Sequence, residues 1–327
     1  MNEDVVKKIF NTLDLAVISS SRIKTLSNYL YKVKTTQGNY FLKIYFVDSR
    51  KAFKLANLYD LLSKKGVLVP SVLKYDESCS LIEYPYLILS EVEGDLLIDV
   101  FQSFSRSDLE RFYYDFGRVV GNIHSIKFDK FGECFDGKNV EGYSFIDFKG
   151  PFDSWKDFFR EIIKKRLSVL KNSELDDLVD PLKSWFESKL YLLDFDVVPS
   201  LIHEDLNQKN VFIKNGVVSG VIDFDDSFIG HSEEELMRLE GANFSNNSLL
   251  KDSFFKGYTE IIKLDDGYEK RRIIYYLSRL IVHIRCVLEF REEYVGDVSK
   301  ELEIMRTEIN NIITGKGTNF DKNKVNT

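Results

Sequence analysis

Cysteine, proline and long apolar runs are all scarce in this 327-residue sequence. The three cysteines, Cys79, Cys134 and Cys286, are odd in number and far apart. That excludes a disulfide framework and a paired-thiol metal knuckle, and it fits a reducing cytoplasm. Five prolines and 18 glycines are too few for a collagen-like or Pro/Gly-rich disordered chain. The most apolar long stretch, 272–290, is interrupted by Arg279, His283 and Arg285, so it reads as a packed helix and not as a membrane span. The opening run MNEDVVKKIFNTLDL is acidic before it is apolar, unlike a signal or transit peptide. Basic charge is also short. With 45 Lys and Arg against 52 Asp and Glu the net charge is -7, which excludes a protein whose main task is gripping nucleic acid through a basic face.

What is present is apolar and unevenly charged. Hydrophobic residues make up 44% of the chain and aromatics 14%, enough to bury one large core or two modest ones. Residues 1–90 hold 13 Lys and Arg against 8 Asp and Glu, leaving 32 against 44 for residues 91–327, so two parts with different tasks are expected. The first part reads as a helix over 3–13, a hairpin from NYLYKV (28–33) and NYFLKIYF (39–46), and a helix over 51–65 with Phe53, Leu58, Leu61 and Leu62 on one face. Further strands are expected in 67–75, 80–84 and 86–92. After Glu93-Gly94 the period turns helical: Ser107 reads as an N-cap for a helix running to Ile123, and further helices are expected near 153–170, 178–192, 248–262 and 268–293. Glu233, Glu234 and Glu235 read as the acidic first turn of another helix.

One segment inside the helical part is not helical. In SLIHEDLNQKNVFIKNGVVSGVIDFDDSFIG (200–230), VFIK and VVSGVI flank Asn215-Gly216, the strongest short-range signal of a type I′ hairpin turn. A two-residue turn pairs Lys214 with Val217 and carries the register outward until Asn210 lies opposite Val221. Asp223 then leaves the second strand just beyond Asn210, and Asp205 sits on the loop entering the first, so the three converge. Two carboxylates and an amide oxygen suit Mg²⁺, which takes few protein ligands and completes its shell with phosphate and water. The same spacing serves phosphoryl transfer, with one Asp to deprotonate the attacking hydroxyl and an Asn and an Asp to hold metal.

HEDLNQKN followed by VIDFDD resembles the signature of the aminoglycoside phosphotransferase and choline kinase family, small-molecule kinases with a protein-kinase-like fold. The matching residues are His203, Asp205, Leu206, Asn210, Gly216, Gly220, Ile222, Asp223, Phe224, Asp225 and Asp226. Weaker likeness extends over most of the chain, through YFLKIYF around Lys43, GVLVPSVL, YLILSEVEG and GRVVGNIHSIKFDKFG. The resemblance implies an α+β, two-lobed kinase fold with a sheet lobe over 1–90 and a helical lobe over 91–327. It implies ATP or GTP as co-substrate, Mg²⁺ as cofactor and a small-molecule acceptor, with no nucleic acid or membrane partner.

Roles follow from the resemblance. Asp205 is the expected base, Asn210 and Asp223 the metal ligands, and His203 a brace of the catalytic loop. Lys43, the one charge in FLKIYF, is expected on phosphate, since a lysine among apolar residues needs an anion to offset its desolvation. The loop before NYLYKV has no glycine, which small-molecule kinases tolerate and protein kinases usually do not, so backbone near Ser27 and Asn28 would cover the phosphates, and backbone near Ser90 to Val92 would meet the base. The helix position that pairs the lysine aligns near Leu55. Either Asp60 substitutes from a shifted helix, or Lys43 is held by Asp223 and nucleotide alone. The acidic second part suggests a cationic, aminoglycoside-like acceptor, and the resemblance leaves as alternatives another small metabolite: a choline-like amine, homoserine, methylthioribose or a glycated amine. Asp225, Asp226, Glu289, Glu292 and Glu293 are candidates for its rim. A nucleotide-binding pseudokinase is the alternative from another class.

Overall fold

The computed structural model describes residues 3–25, 27–244, 247–292 and 296–318. Its first lobe is an antiparallel sheet of order β1-β2-β3-β5-β4, made of β1 (Val17–Ile23), β2 (Tyr29–Thr35), β3 (Gly38–Ile44), β4 (Val72–Asp76) and β5 (Tyr86–Ser90). Side-chain alternation gives the sheet two faces. Leu42, Ile44, Val33 and Ile88 pack with Val6, Ile9 and Phe10 of α1 (Glu3–Asn11). Phe41, Tyr45, Leu87 and Leu89 turn the other way, toward α2 (Arg50–Lys64).

Some expectations shift by local chemistry. SLIEY forms bends and no strand, because Asp76 and Ser78 satisfy the backbone through side-chain bonds, Ser78 N–H to Asp76 Oδ1 at 3.0 Å and Ser80 N–H to Ser78 Oγ at 3.3 Å. The strand expected from 67 begins at Val72, past Pro70, which lacks the N–H a ladder needs. The buried face of α2 is Ala52, Lys54, Leu55, Leu58, Tyr59 and Leu62, with Phe53 outside it, because this helix touches both the sheet and the second lobe.

The second lobe is helical: α3 (Arg106–His124), α4 (Trp155–Ser168), α5 (Val179–Lys189), α6 (Ser232–Asn243), α7 (Ser248–Thr259), α8 (Tyr268–Glu289) and α9 (Val298–Ile313), the last not among the expected helices. The N-cap of α3 is Ser105 and not Ser107. Its hydroxyl accepts the Asp108 N–H while the Asp108 carboxylate accepts the Ser105 N–H, a reciprocal capping box that Ser107 cannot form. No helix among the described residues is long and apolar enough to cross a membrane.

Among the short strands of this lobe are β6 (Ser200–Ile202), β7 (Val211–Lys214), β8 (Val217–Val221) and β9 (Phe228–Gly230). The β7–β8 turn is the expected one, with Asn215 at φ 55° and Gly216 at φ 78° and Lys214 paired to Val217. The register then slips, because a bulge leaves Ser219 unpaired and sets Val211 opposite Val221. Asn210 therefore faces Ile222, whose N–H donates to the Asn210 carbonyl at 3.0 Å, one residue nearer Asp223 than the unbulged register gives. Asp95 and Leu96, just after the sheet lobe, add a third strand to β7 and tie the lobe connection to the hairpin.

Helix α3 lies closely against α7. A Cβ on Gly257 would come within 1.9 Å of the Tyr114 carbonyl oxygen, and one on Gly117 within 2.1 Å of the Phe254 carbonyl oxygen. Gly257→Ala is therefore expected to cost about 1–3 kcal/mol through overpacking. Gly241→Ala in α6, where nothing lies within 4 Å of the added methyl, should hold or gain stability. Urea denaturation of both variants checks the contrast, and equal midpoints would refute it.

Candidate active site

The loop from β6 to β7 is held from below by one carboxylate. Glu235, fully buried in the first turn of α6, accepts the His203 N–H at 3.1 Å, the Glu204 N–H at 2.7 Å and a contact from His124 Nε2 at 2.8 Å. His203 completes the brace: its Nε2 donates to the Ile222 carbonyl at 2.8 Å and its Nδ1 accepts the Asp205 N–H at 3.1 Å, which sets the ring's tautomer. Asn210 turns its amide nitrogen to Asp205, 2.8 Å from the carbonyl and 2.9 Å from Oδ2. Arg238 Nη2 takes the other carboxylate oxygen, Oδ1. Glu204 itself is left-handed, at φ 73°, a conformation rarely adopted by a residue with a Cβ. Its buried carboxylate is gripped by Arg279 at 2.8 and 2.6 Å. Burial would raise that carboxyl, but the guanidinium groups of Arg279 and Arg166 outweigh it and hold it below the ordinary range.

Across the hairpin, Lys43 is buried on the α2 face of β3, with Nζ 2.9 Å from Asp223 Oδ1 and 2.5 Å from Asp225 Oδ2. Burial alone would lower this ammonium, yet Asp225, Tyr45 and Asp223 together hold it well above its usual value. Burial likewise opposes the ionised form of Asp223, and Lys43 overcomes it, leaving that carboxyl below its usual value. Asp60 does not substitute for the aligned helix position: it pairs with Lys64 one turn on, in solvent, while Leu55 is core. The partner not foreseen is Asp225. It was expected at an acceptor rim and lines the cavity, and the tight turn Phe224–Asp226, after left-handed Asp223 at φ 69°, also brings its carboxylate to Lys43, where Tyr45 OH donates to it at 3.0 Å. Lys54 of α2 pins that turn. Its buried ammonium donates to the Asp225 and Ser227 carbonyls at 3.0 and 2.5 Å and pairs with Glu133 at 2.7 Å.

Asp205, Asp225 and Asp226 open onto a cavity of about 840 Å³, also lined by Glu133, Tyr143, Phe145, Arg166, Glu204 and residues of α6 and α8. Its lining holds five Lys and Arg against five Asp and Glu, so the acidic cleft expected from the charge split is not there. The excess acid is spent inside the lobe, where Glu233, Glu234, Glu235 and Glu240 are buried on Arg271, Arg166, His124 and Arg272. Asp226 is at the cavity, paired with Lys51 at 2.6 Å. Glu289 pairs with Arg285 and, like exposed Glu292, is absent from the lining, while Glu293 lies outside the described residues. Exposed Ser27 and buried Asn28 sit in the β1–β2 turn. The Ser90 N–H is already committed to the Ser71 carbonyl at 2.9 Å and that of Glu91 to Asn39 at 3.3 Å, so in this run Val92 is the amide without a protein partner among the described residues.

No three His, Cys, Asp or Glu side chains among the described residues gather as a metal cage. Asn210 gives its amide nitrogen to Asp205, and the Asp223 carboxylate is half-exposed beside Lys43; an amide oxygen and a carboxylate are donors of the type Mg²⁺ takes.

The sequence profile of the phosphotransferase enzyme family matches residues 22–272. The chain belongs to that family. It is 26% identical over 281 residues to a Vibrio cholerae serotype O1 protein named "Probable ketoamine kinase", covering 84% of each chain. A Vibrio vulnificus protein of the same name is 25% identical over 285 residues, covering 84% of this chain and 88% of that one. In fold the phosphotransferase is similar to a thermostable mutant of the aminoglycoside phosphotransferase APH(4)-Ia in its apo form, with a TM-score of 0.70, 16% identity and coverage of 97% and 100%.

Lys54 and Arg238 escaped the sequence reading of this phosphotransferase, and Glu235 was read as part of a helix's first turn and not as a support of the loop. The one signal for Lys54 was a lysine at helical spacing with Leu55, Leu58 and Leu62, on a face that proves buried. Lys54→Met leaves the Glu133 carboxylate buried, with the Ser144 N–H as its remaining donor, and should cost about 3–5 kcal/mol. Adding Glu133→Leu should recover much of that loss in chemical denaturation, and no recovery would show that the pair is not the source.

Proposed function

We propose that this phosphotransferase is a small-molecule kinase that transfers the γ-phosphoryl group of ATP or GTP to a hydroxyl of a ketoamine, a sugar-derived amine. The observation that carries the kinase reading is the convergence of Asp205, Asn210, Asp223 and Lys43 around the hairpin end, beside the large cavity. The ketoamine reading draws on the names of the two Vibrio relatives. The balanced charge of the cavity favours it over a polycationic aminoglycoside.

In this reading the acceptor oxygen bonds to the γ-phosphorus as the bond to the β–γ bridging oxygen breaks. The nucleoside diphosphate leaves with that electron pair, and the hydroxyl proton passes to Asp205. Lys43 binds phosphate with Asp223 and Asp225 already around it, so its charge is placed before nucleotide arrives. The amides near Ser27 and Asn28 cover the phosphates, and Val92, two residues after Ser90, offers the base a backbone donor. Asn210 and Asp223 would hold Mg²⁺, whose part is to offset charge on the phosphate oxygens. His203 and Glu235 keep the loop in register. The pseudokinase alternative drew on the missing helix glutamate, and Lys43 is held here without one.

Asp205→Asn should leave nucleotide affinity within a few-fold while turnover falls by about 10²- to 10⁴-fold, the usual contribution of a positioned base. Single-turnover ATP consumption with fructosyl amines checks this, and parental turnover would refute the base assignment. Lys43→Ala should weaken nucleotide binding. Asp223→Ala should abolish transfer even at high Mg²⁺, whereas Asn210→Ala should raise the Mg²⁺ requirement. Full transfer in chelator would exclude the metal reading.

A further inference from the structure

Asp205 is the expected base, yet each of its carboxylate oxygens already accepts a side-chain bond, and its side chain is 39% exposed. Oδ2 receives Asn210 Nδ2 at 2.9 Å, and Oδ1 is taken by Arg238 Nη2. Asn210 belongs to the metal pair and stays in place. Arg238 has no such tie: it stands in the second turn of α6, lines the cavity, and among the described residues pairs by direct contact with Asp205 alone. An acceptor hydroxyl that is to give its proton to Oδ1 competes with it for that oxygen.

The wall around Arg238 suggests what draws it away. Helices α6 and α8 contribute Arg238, Arg279, His283 and Arg285 to the cavity lining and not one Asp or Glu. The lining carboxylates all come from elsewhere, from Glu133, the catalytic loop and the Asp225–Asp226 turn. Arg279 is committed to Glu204 by two bonds, and Arg285 gives one nitrogen to Glu289. The α6–α8 wall of the cavity therefore carries guanidinium groups and no carboxylate of its own.

We propose that Arg238 binds an anionic group of the acceptor, a carboxylate or a phosphate, and in doing so leaves Asp205 Oδ1, so that the base is free only when the acceptor is in place. A guanidinium that leaves one carboxylate for another exchanges like for like, whereas a neutral acceptor offers it nothing in return. Selectivity thus comes from the capped state as much as from the new contact. With no acceptor bound, the same cap keeps water from using Asp205 and so restrains hydrolysis of the nucleotide. This inference rests on the reading of Asp205 as base.

The test uses the full chain with Mg²⁺ and ATP and two matched pairs of acceptors: fructosylglycine against its carboxamide, and 1-amino-1-deoxyfructose 6-phosphate against the unphosphorylated amine. The parent should favour one anionic member by about 10- to 100-fold in kcat/KM, the worth of one charge-assisted hydrogen bond, and the pair that shows it identifies carboxylate or phosphate. Arg238→Gln should bring that ratio near one, chiefly through KM of the anionic acceptor, and Arg238→Lys should keep part of it. ATP hydrolysis without acceptor should rise several-fold in Arg238→Gln and vanish again when Asp205→Asn is added. A parental ratio near one in both pairs, or a ratio that survives Arg238→Gln, overturns the proposal. If none of the four compounds is phosphorylated, the ketoamine reading fails on its own. The acceptor-free rate then decides the cap: an Asp205-dependent rise upholds it, and an unchanged rate refutes it.

Discussion

Taking the Lys43 ammonium out of water is the constraint on which the rest of the site depends. A charge buried among Phe41, Tyr45 and the β5 residues costs several kcal/mol unless it is met by charge of the other sign. Asp223 and Asp225 meet it from the second lobe, so the lysine is at once part of the site and a bond between the two lobes. The turn that carries these aspartates must then hold its shape. Lys54, two positions past Ala52 on the buried face of α2, supplies that by binding the carbonyls on either side of Asp226. Two lysines of the positive first part thus end on carboxylates and carbonyls of the acidic second part.

A second layer holds the chain in conformations it would not choose. Glu204 and Asp223 are both left-handed, each at a cost of order 1–3 kcal/mol that persists only where surrounding contacts impose it. For Glu204 those contacts are Glu235 on its N–H and Arg279 on its carboxylate. For Asp223 they are Tyr59, whose hydroxyl accepts its N–H at 3.2 Å, and Lys43. The left-handed residues flank Asp205 and Asn210 in sequence and turn the groups next to them toward one place. The contacts that impose these conformations are part of the buried charge, costly by itself, that is collected around one hairpin.

Much of this was legible in the sequence. Asn215-Gly216 between two β-type runs can hardly be anything but a hairpin turn, and the spacing of Asp205, Asn210 and Asp223 around it follows from chain geometry. Alternation along β3 put Lys43 with Phe41 and Tyr45, on the face where it is found. The bulge at Ser219 was not legible, since a two-residue turn says nothing of slips further along the ladder. Nor was the fate of the acid. Glu233, Glu234 and Glu235 read as a helix's first turn and are one, but their burial depends on Arg166, Arg271 and His124, which lie 38 to 111 residues away.

Local rules therefore determined what is local: the strands, most of the helices, the hairpin and the order of its polar residues, because propensity and periodicity act over a few positions. Tertiary structure alone decided which charges cancel. The charge split pointed to an acidic cleft, yet ion pairs inside the second lobe consumed the carboxylates and left guanidinium groups along α6 and α8 facing the cavity. Net charge adds over the whole chain, whereas a binding site feels only the charges that packing leaves within a few ångströms of it.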